Sequence, residues 1–171
     1  MDKSYKAFFA YGLFLIGLIV IMNLPARKPV EPVKPLKPGP CETIHVMAEK
    51  YGIPETLMVA LVNQETPDWN VDDISKNANG SIDMGLWKFN SLCLTWFRAK
   101  FGLIDPFDYA NATESAARYL VWLKNRTGSW EGAVAAWNCG LTRYKTGSIP
   151  ITTQRHVNAI MTEARLTEVI K

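Results

Sequence analysis

An all-α domain, set behind an apolar N-terminal run and a proline-rich stalk, is what this 171-residue sequence predicts. Two observations give the helical domain. From Cys41 onward apolar residues recur at three- and four-residue spacing, and helix caps and stops punctuate those stripes. Neither hairpin dipeptides nor sustained period-two alternation register, so no strand is expected. A third observation gives the preamble: sixteen uninterrupted apolar residues, Ala7 to Met22, followed by a proline repeat.

With Leu24 the apolar run nearly reaches the roughly 17-residue minimum for a spanning helix. It reads as an uncleaved anchor. The alternative is a cleaved signal peptide, but Asn23-Leu24-Pro25-Ala26 lacks a small-x-small site, and Cys41 follows Pro-Gly-Pro rather than a lipobox. Pro25 to Pro40 holds six of the ten prolines, spaced by three over Pro29, Pro32, Pro35 and Pro38. That spacing favours polyproline II, which rises about 3.1 Å per residue, so the segment is a spacer of roughly 50 Å. The expected divisions are 1–24 for the anchor or signal sequence, 25–40 for the linker and 41–171 for the helical domain. Arg27, Lys28, Lys34 and Lys37 follow the run, against Lys3 and Lys6 before it. Alone, that balance keeps the C-terminal side in the cytoplasm; large domains translocate largely regardless of it, so the site must decide orientation.

In the domain, Ile44, Met47, Ala48 and Tyr51 form a first apolar stripe, ended by Gly52. Pro54 suits the first turn of a second helix running to about Thr66. A polar loop is expected from Pro67 to Asp83. Ser91 to Phe101 reads as a third helix, stopped by Gly102. Asn111-Ala-Thr-Glu114 is a capping-box variant opening a fourth, with Ala117, Leu120, Val121 and Leu123 inward and Gly128 past its end. Ser129 can cap a fifth, Trp130 to Trp137, and Thr152 or Thr153 a sixth, reaching about Thr167. Six helices in some 130 residues can bury a normal core.

Charge and cysteine usage exclude several functions. From Cys41 to Lys171 thirteen basic residues face fourteen acidic ones, without the basic block that marks nucleic-acid binding. The three cysteines, Cys41, Cys93 and Cys139, and the two histidines, His45 and His156, show no metal-ligand spacing. No metal and no cofactor are expected. The cysteines read either as one disulfide and a spare thiol, or as three small buried hydrophobes.

Glu65 is the candidate catalytic residue. Met58, Leu61 and Val62 precede it by seven, four and three positions and share its helix face. A carboxylate ending an apolar stripe is partly withdrawn from water, and desolvation favours the protonated form that a general acid needs. An exposed glutamate at a frayed helix end is the alternative.

Four motifs then stand in order. They are Tyr51-Gly52-Ile53-Pro54; Glu65-Thr66; Asn77-Ala-Asn79-Gly80-Ser81-Ile-Asp83-Met-Gly85-Leu86-Trp87-Lys88-Phe89-Asn90-Ser91; and Ala136-Trp137-Asn138-Cys139-Gly140, with Pro150-Ile-Thr-Thr153-Gln-Arg-His156-Val157 beyond. With these the chain resembles lytic transglycosylases of the Slt type, which share a lysozyme-like fold, and in particular their small secretion-system-associated members. The likeness covers roughly 41–164. It departs where the family has serine after the glutamate (Thr66), methionine and glutamine (Trp87, Lys88), and two tyrosines (Trp137, His156).

The resemblance implies a peptidoglycan glycan strand as substrate, cut with Glu65 as the single catalytic carboxylate. Glu65 protonates the oxygen between N-acetylmuramic acid and N-acetylglucosamine, then takes a proton from the muramic 6-hydroxyl, which closes a 1,6-anhydro ring. Thr66, Gly85, Leu86, Trp87, Lys88, Trp137, Asn138 and His156 are the implied substrate-binding residues. Trp87 and Trp137 are candidates for stacking on sugars, with core packing as the equal alternative, while Trp96, Trp122 and Trp130 are expected in packing. His156 is a candidate to hydrogen-bond Glu65, with a satisfied histidine on the helix surface as the alternative. Asp68, Asp72, Asp73 and Asp83 are second-carboxylate candidates for a hydrolytic route, with turn and cap roles as their alternative. The implied setting is a single-pass bacterial inner-membrane protein with its domain in the periplasm or cell-wall space, partnered by secretion or envelope machinery. Competing readings are a hydrolytic lysozyme or endolysin, a non-catalytic peptidoglycan-binding scaffold, and an adaptor working through its stalk.

Overall fold

The computed structural model describes residues 39–170, with side chains to 165. The expected anchor and all but the last two residues of the expected linker lie outside the described residues. No helix among the described residues is long and apolar enough to cross a membrane.

Seven α-helices and a small sheet make up this part: α1 (Pro40–Tyr51), α2 (Glu55–Glu65), β1 (Ile74–Lys76), β2 (Ile82–Met84), β3 (Phe89–Asn90), a 3₁₀ turn (Ser91–Cys93), α3 (Leu94–Phe101), α4 (Tyr109–Thr127), α5 (Trp130–Cys139), α6 (Leu141–Lys145) and α7 (Ile151–Ile170). Each boundary has a local cause. Pro40 stands in the first turn of α1, and Gly52 ends it in the left-handed conformation. The Ser129 hydroxyl caps α5 by accepting from the Gly132 amide. Asp108 caps α4, accepting from the amides of Ala110 and Asn111. The fourth helix therefore begins before the expected Asn111, whose side chain instead accepts from the Ile104 amide at 2.6 Å and donates to the Gly102 carbonyl at 3.0 Å.

Met58, Leu61 and Val62 on α2 are fully buried, and Val157, Ile160 and Ala164 on α7 are buried in the same core. Burial of each large aliphatic side chain contributes on the order of 1.5–3 kcal/mol. From α4, Ala117, Leu120 and Leu123 are buried as expected, whereas Val121 is only half-buried. Lys50 and Tyr51 of α1 converge on Glu114 of α4 at 2.9 and 2.8 Å, and Arg118 closes the cluster at 2.7 Å. These three donors, Lys50 foremost, hold the Glu114 carboxyl down to about 2.

Two expectations fail here. The stretch Pro67 to Asp83 is not only loop: β1–β2–β3 form an antiparallel sheet, with Ile74 opposite Met84 and Asp83 opposite Asn90. Its strands are two or three residues long, too short for alternation to register, and Asn79-Gly80 sits in the β1–β2 turn as a hairpin dipeptide. The cysteines are neither bridged nor buried, since all three are free, Cys41 and Cys93 exposed and Cys139 half-buried.

Candidate active site

Glu65 is the last residue of α2, where the apolar stripe reaches the surface of the core. Its side chain is 17% exposed, and Oε1 lies 3.3 Å from Nε2 of His156 on α7, itself 18% exposed. The ring nitrogen is within ion-pair reach but off the line of a hydrogen bond, and Nε2 has no other partner. Two residues 91 positions apart thus share one largely water-excluded spot.

The spot opens into a cleft of about 620 Å³. One wall comes from the sheet and its turns: Asn77, Asn79, Ser81, Asp83, Lys88 and Asn90. The other comes from the end of α5 and from α6: Trp137, Asn138 and Arg143. Polar bonds fix the sheet wall. Asn77 donates to Asp83 Oδ2 at 2.9 Å, and Asn90 to Asp83 Oδ1 at 2.7 Å. Ser81 accepts from both amides at 3.1 and 3.0 Å and donates to Asn79 at 2.7 Å. On the helical wall, the half-buried Trp137 meets Tyr119 at 5.3 Å, Trp87 at 6.1 Å and Phe89 at 6.5 Å between ring centroids. Tyr119 lies deep in this aromatic group, where burial pushes its phenol up to about 12. Asn138 is exposed at the cleft, and its Oδ1 accepts from Thr153 Oγ1 of α7 at 2.6 Å. The hydroxyl leaves the Asn138 amide hydrogens free to face the cleft.

Of the expected binding residues, Lys88, Trp137, Asn138 and His156 are gathered around Glu65 and its cleft. Four others sit behind the wall. Thr66 is 1% exposed and donates to the Leu86 carbonyl at 3.1 Å, tying the end of α2 to the turn after β2. Leu86 and Trp87 are fully buried, and Trp87 Nε1 donates to Thr113 at 2.9 Å, so no ring face is offered to a sugar. Gly85 has a left-handed φ of 70°, and a Cβ there would lie 2.0 Å from the Pro106 carbonyl oxygen. The close approach that glycine permits is to backbone, not to ligand. Gly85, Leu86 and Trp87 are buried because the 85–88 turn packs inward, and Thr66 is buried against it. Lys88 is itself left-handed, φ 50°, and turns back so that Nζ binds Asp73 and, at 2.8 Å, Ser75. The lysine, as the leading cause, holds the Asp73 carboxyl below its usual range.

Among the four second-carboxylate candidates, only Asp83 lines the cleft. Asp68 accepts from the Asn70 amide in a turn, and Asp73 is taken by Lys88 and Ser75. Trp122 and Trp130 pack against the core as expected, while Trp96 packs against Phe97, Phe101, Tyr119 and Trp122 yet stays 40% exposed. The sequence does not single out Arg143, nor the bond from Thr153 to Asn138. Arg143 lies five positions beyond Asn138, outside the motifs, and Thr153 stands in the last motif and as a possible cap with no contact to Asn138 implied.

No curated protein matches the chain. A protein-family model, the Transglycosylase SLT domain, matches residues 42–148, which covers α1 through α6 and all of the cleft except what α7 supplies. With a predominantly helical fold around a glutamate at the end of α2, the chain belongs to the transglycosylase SLT domain family.

Proposed function

We propose that the protein is a peptidoglycan lytic transglycosylase in which Glu65 serves in turn as acid and base. The observation that carries this reading is the position of Glu65. It ends an apolar helix face, is largely shielded from water, and opens onto a polar cleft beside His156 and Asn138. In the first step Glu65 gives its proton to the oxygen linking N-acetylmuramic acid to N-acetylglucosamine, and that C–O bond breaks. In the second, the muramic 6-hydroxyl attacks the anomeric carbon while its proton passes to the Glu65 carboxylate. The products are an N-acetylglucosamine end and a 1,6-anhydromuramic end, with no water consumed. Asn138, oriented by Thr153, donates to sugar hydroxyl or acetamido oxygens, and Trp137 offers an apolar face to a sugar ring.

The single-carboxylate route is favoured over hydrolysis by the state of Asp83. Both its oxygens already accept from asparagine amides, which fits a wall-forming role better than that of a second base or nucleophile. The apolar run at 7–22 and the proline repeat support a setting in which the domain works beside a bacterial membrane, within reach of the wall. Mass spectrometry of fragments released from purified sacculi by the full chain tests the function. Anhydromuramic ends are expected, with at least a hundredfold loss in Glu65→Gln. Reducing ends would make the protein a hydrolase, and binding of sacculi with no fragments released by either the wild type or Glu65→Gln would make it a binding scaffold.

A further inference from the structure

We propose that Arg143 reads a free carboxylate on the glycan: the lactyl carboxylate that a muramic residue carries once its peptide has been removed. The inference rests on the glycan-cleaving reading of the same cleft and adds a substrate class to it. The charged residues lining the cleft are Glu65, Asp83, Lys88 and Arg143. Three are committed within the protein. Glu65 faces His156, Asp83 is held by two amides, and Lys88 is bound to Asp73 and Ser75. The Arg143 guanidinium has no hydrogen-bond or ion-pair partner among the described residues. Its backbone is nonetheless fixed: its carbonyl accepts from the Thr146 hydroxyl at 3.2 Å and the Ser148 amide at 3.0 Å. A pinned main chain with an unpaired head is an arrangement for meeting an anion from outside.

The ligand chemistry narrows which anion. A guanidinium presents paired donors that match a carboxylate in a bidentate fork. The sugars of a peptidoglycan strand are neutral apart from the lactyl ether on each muramic residue. With a peptide attached, that lactyl group is an amide and carries no charge at this position. With the peptide gone, it is an ionised carboxylate. An unpaired arginine in the cleft therefore separates strands with a free lactyl carboxylate from strands whose lactyl group is an amide, and from an uncharged N-acetylglucosamine polymer. The reaction class that must supply this substrate is hydrolysis of the amide joining lactate to peptide.

Binding by the full chain carrying Glu65→Gln, measured calorimetrically, tests the assignment with three tetrasaccharides: the peptide-free N-acetylglucosamine–N-acetylmuramic acid repeat, the same compound with its lactyl groups converted to methylamides, and chitotetraose. The free acid is expected to bind about tenfold more tightly than either neutral ligand. That advantage should shrink in 0.5 M salt as the charge pair is screened, and should vanish when Arg143→Gln is added. Equal affinity for acid and methylamide would overturn the proposal. So would an Arg143→Gln variant that weakens all three ligands alike, which is what a packing role would give. Product analysis of the wild-type chain runs alongside. Failure to cleave there counts against the transglycosylase reading and leaves the acid-over-amide comparison to judge Arg143 separately.

Discussion

Replacing Thr66 by valine removes one hydroxyl and almost no volume, and so isolates what the Thr66–Leu86 bond does. Thr66 is 1% exposed, and its hydroxyl donates at 3.1 Å to the carbonyl of Leu86, a fully buried residue. Valine fills the same space, so the cavity contribution is near zero. What remains is a buried carbonyl deprived of a donor, which costs about 1–3 kcal/mol. For a domain of this size, each kcal/mol moves Tm by roughly 3–5 °C, so a fall of about 3–15 °C, centred near 8 °C, is expected by differential scanning calorimetry. Thr66→Ser keeps the donor and loses one methyl group, at about 0.8 kcal/mol, and should recover more than half of the loss. If Thr66 instead acts by touching the glycan, Thr66→Val would melt with the wild type and lose only affinity. That result would refute the assignment of Thr66 as a tie between α2 and the cleft wall.

Three further outcomes follow from the same geometry. Gly85→Ala forces a Cβ to within 2.0 Å of the Pro106 carbonyl at a left-handed φ, so it should destabilise by about 2–4 kcal/mol, read as a lower urea midpoint with unchanged slope. Thr153→Val frees the Asn138 amide to rotate and should cut turnover on sacculi several-fold, while a circular dichroism melt shifts by only a few degrees. Glu114 has its carboxyl depressed from 4.5 to about 2 in the folded state. A depressed acid stabilises fully above its unfolded value and loses that contribution as pH falls. The α1–α4 tie should therefore weaken between about pH 4.5 and 2. With Lys50 and Arg118 about half exposed, solvent screening limits the effect to about 1 kcal/mol. A Glu114→Gln chain should show a correspondingly flatter acid-stability curve.

The catalytic candidate was legible because it obeys a period. Met58, Leu61 and Val62 mark one helix face, and Glu65 continues it to the helix end. The helices with many turns were legible for the same reason. The five-residue α6 was not, since it is shorter than two turns, and neither were strands of two or three residues. Motif position showed that Gly85, Leu86 and Trp87 belong near the site but not which way they face. That depends on the 85–88 turn, whose left-handed glycine and lysine roll the segment into the core. The start of α4 was ambiguous for a chemical reason. Asp108 and Asn111 can both cap, and the choice of Asp108 leaves Glu114 free to bind Lys50 and Arg118 rather than its own helix end. Arg143 and Thr153 matter through what they face, which no local pattern encodes.

The matched family span ends at residue 148, yet α7 beyond it brings His156 to Glu65 and Thr153 to Asn138, and seats Val157 and Ile160 against α2. Cutting the short connection at Gly147 would leave most of the helical content in one piece while stripping the acid of its neighbour and the asparagine of its guide. The site around Glu65 is therefore completed only when the last helix docks, so its two halves come from opposite ends of the domain.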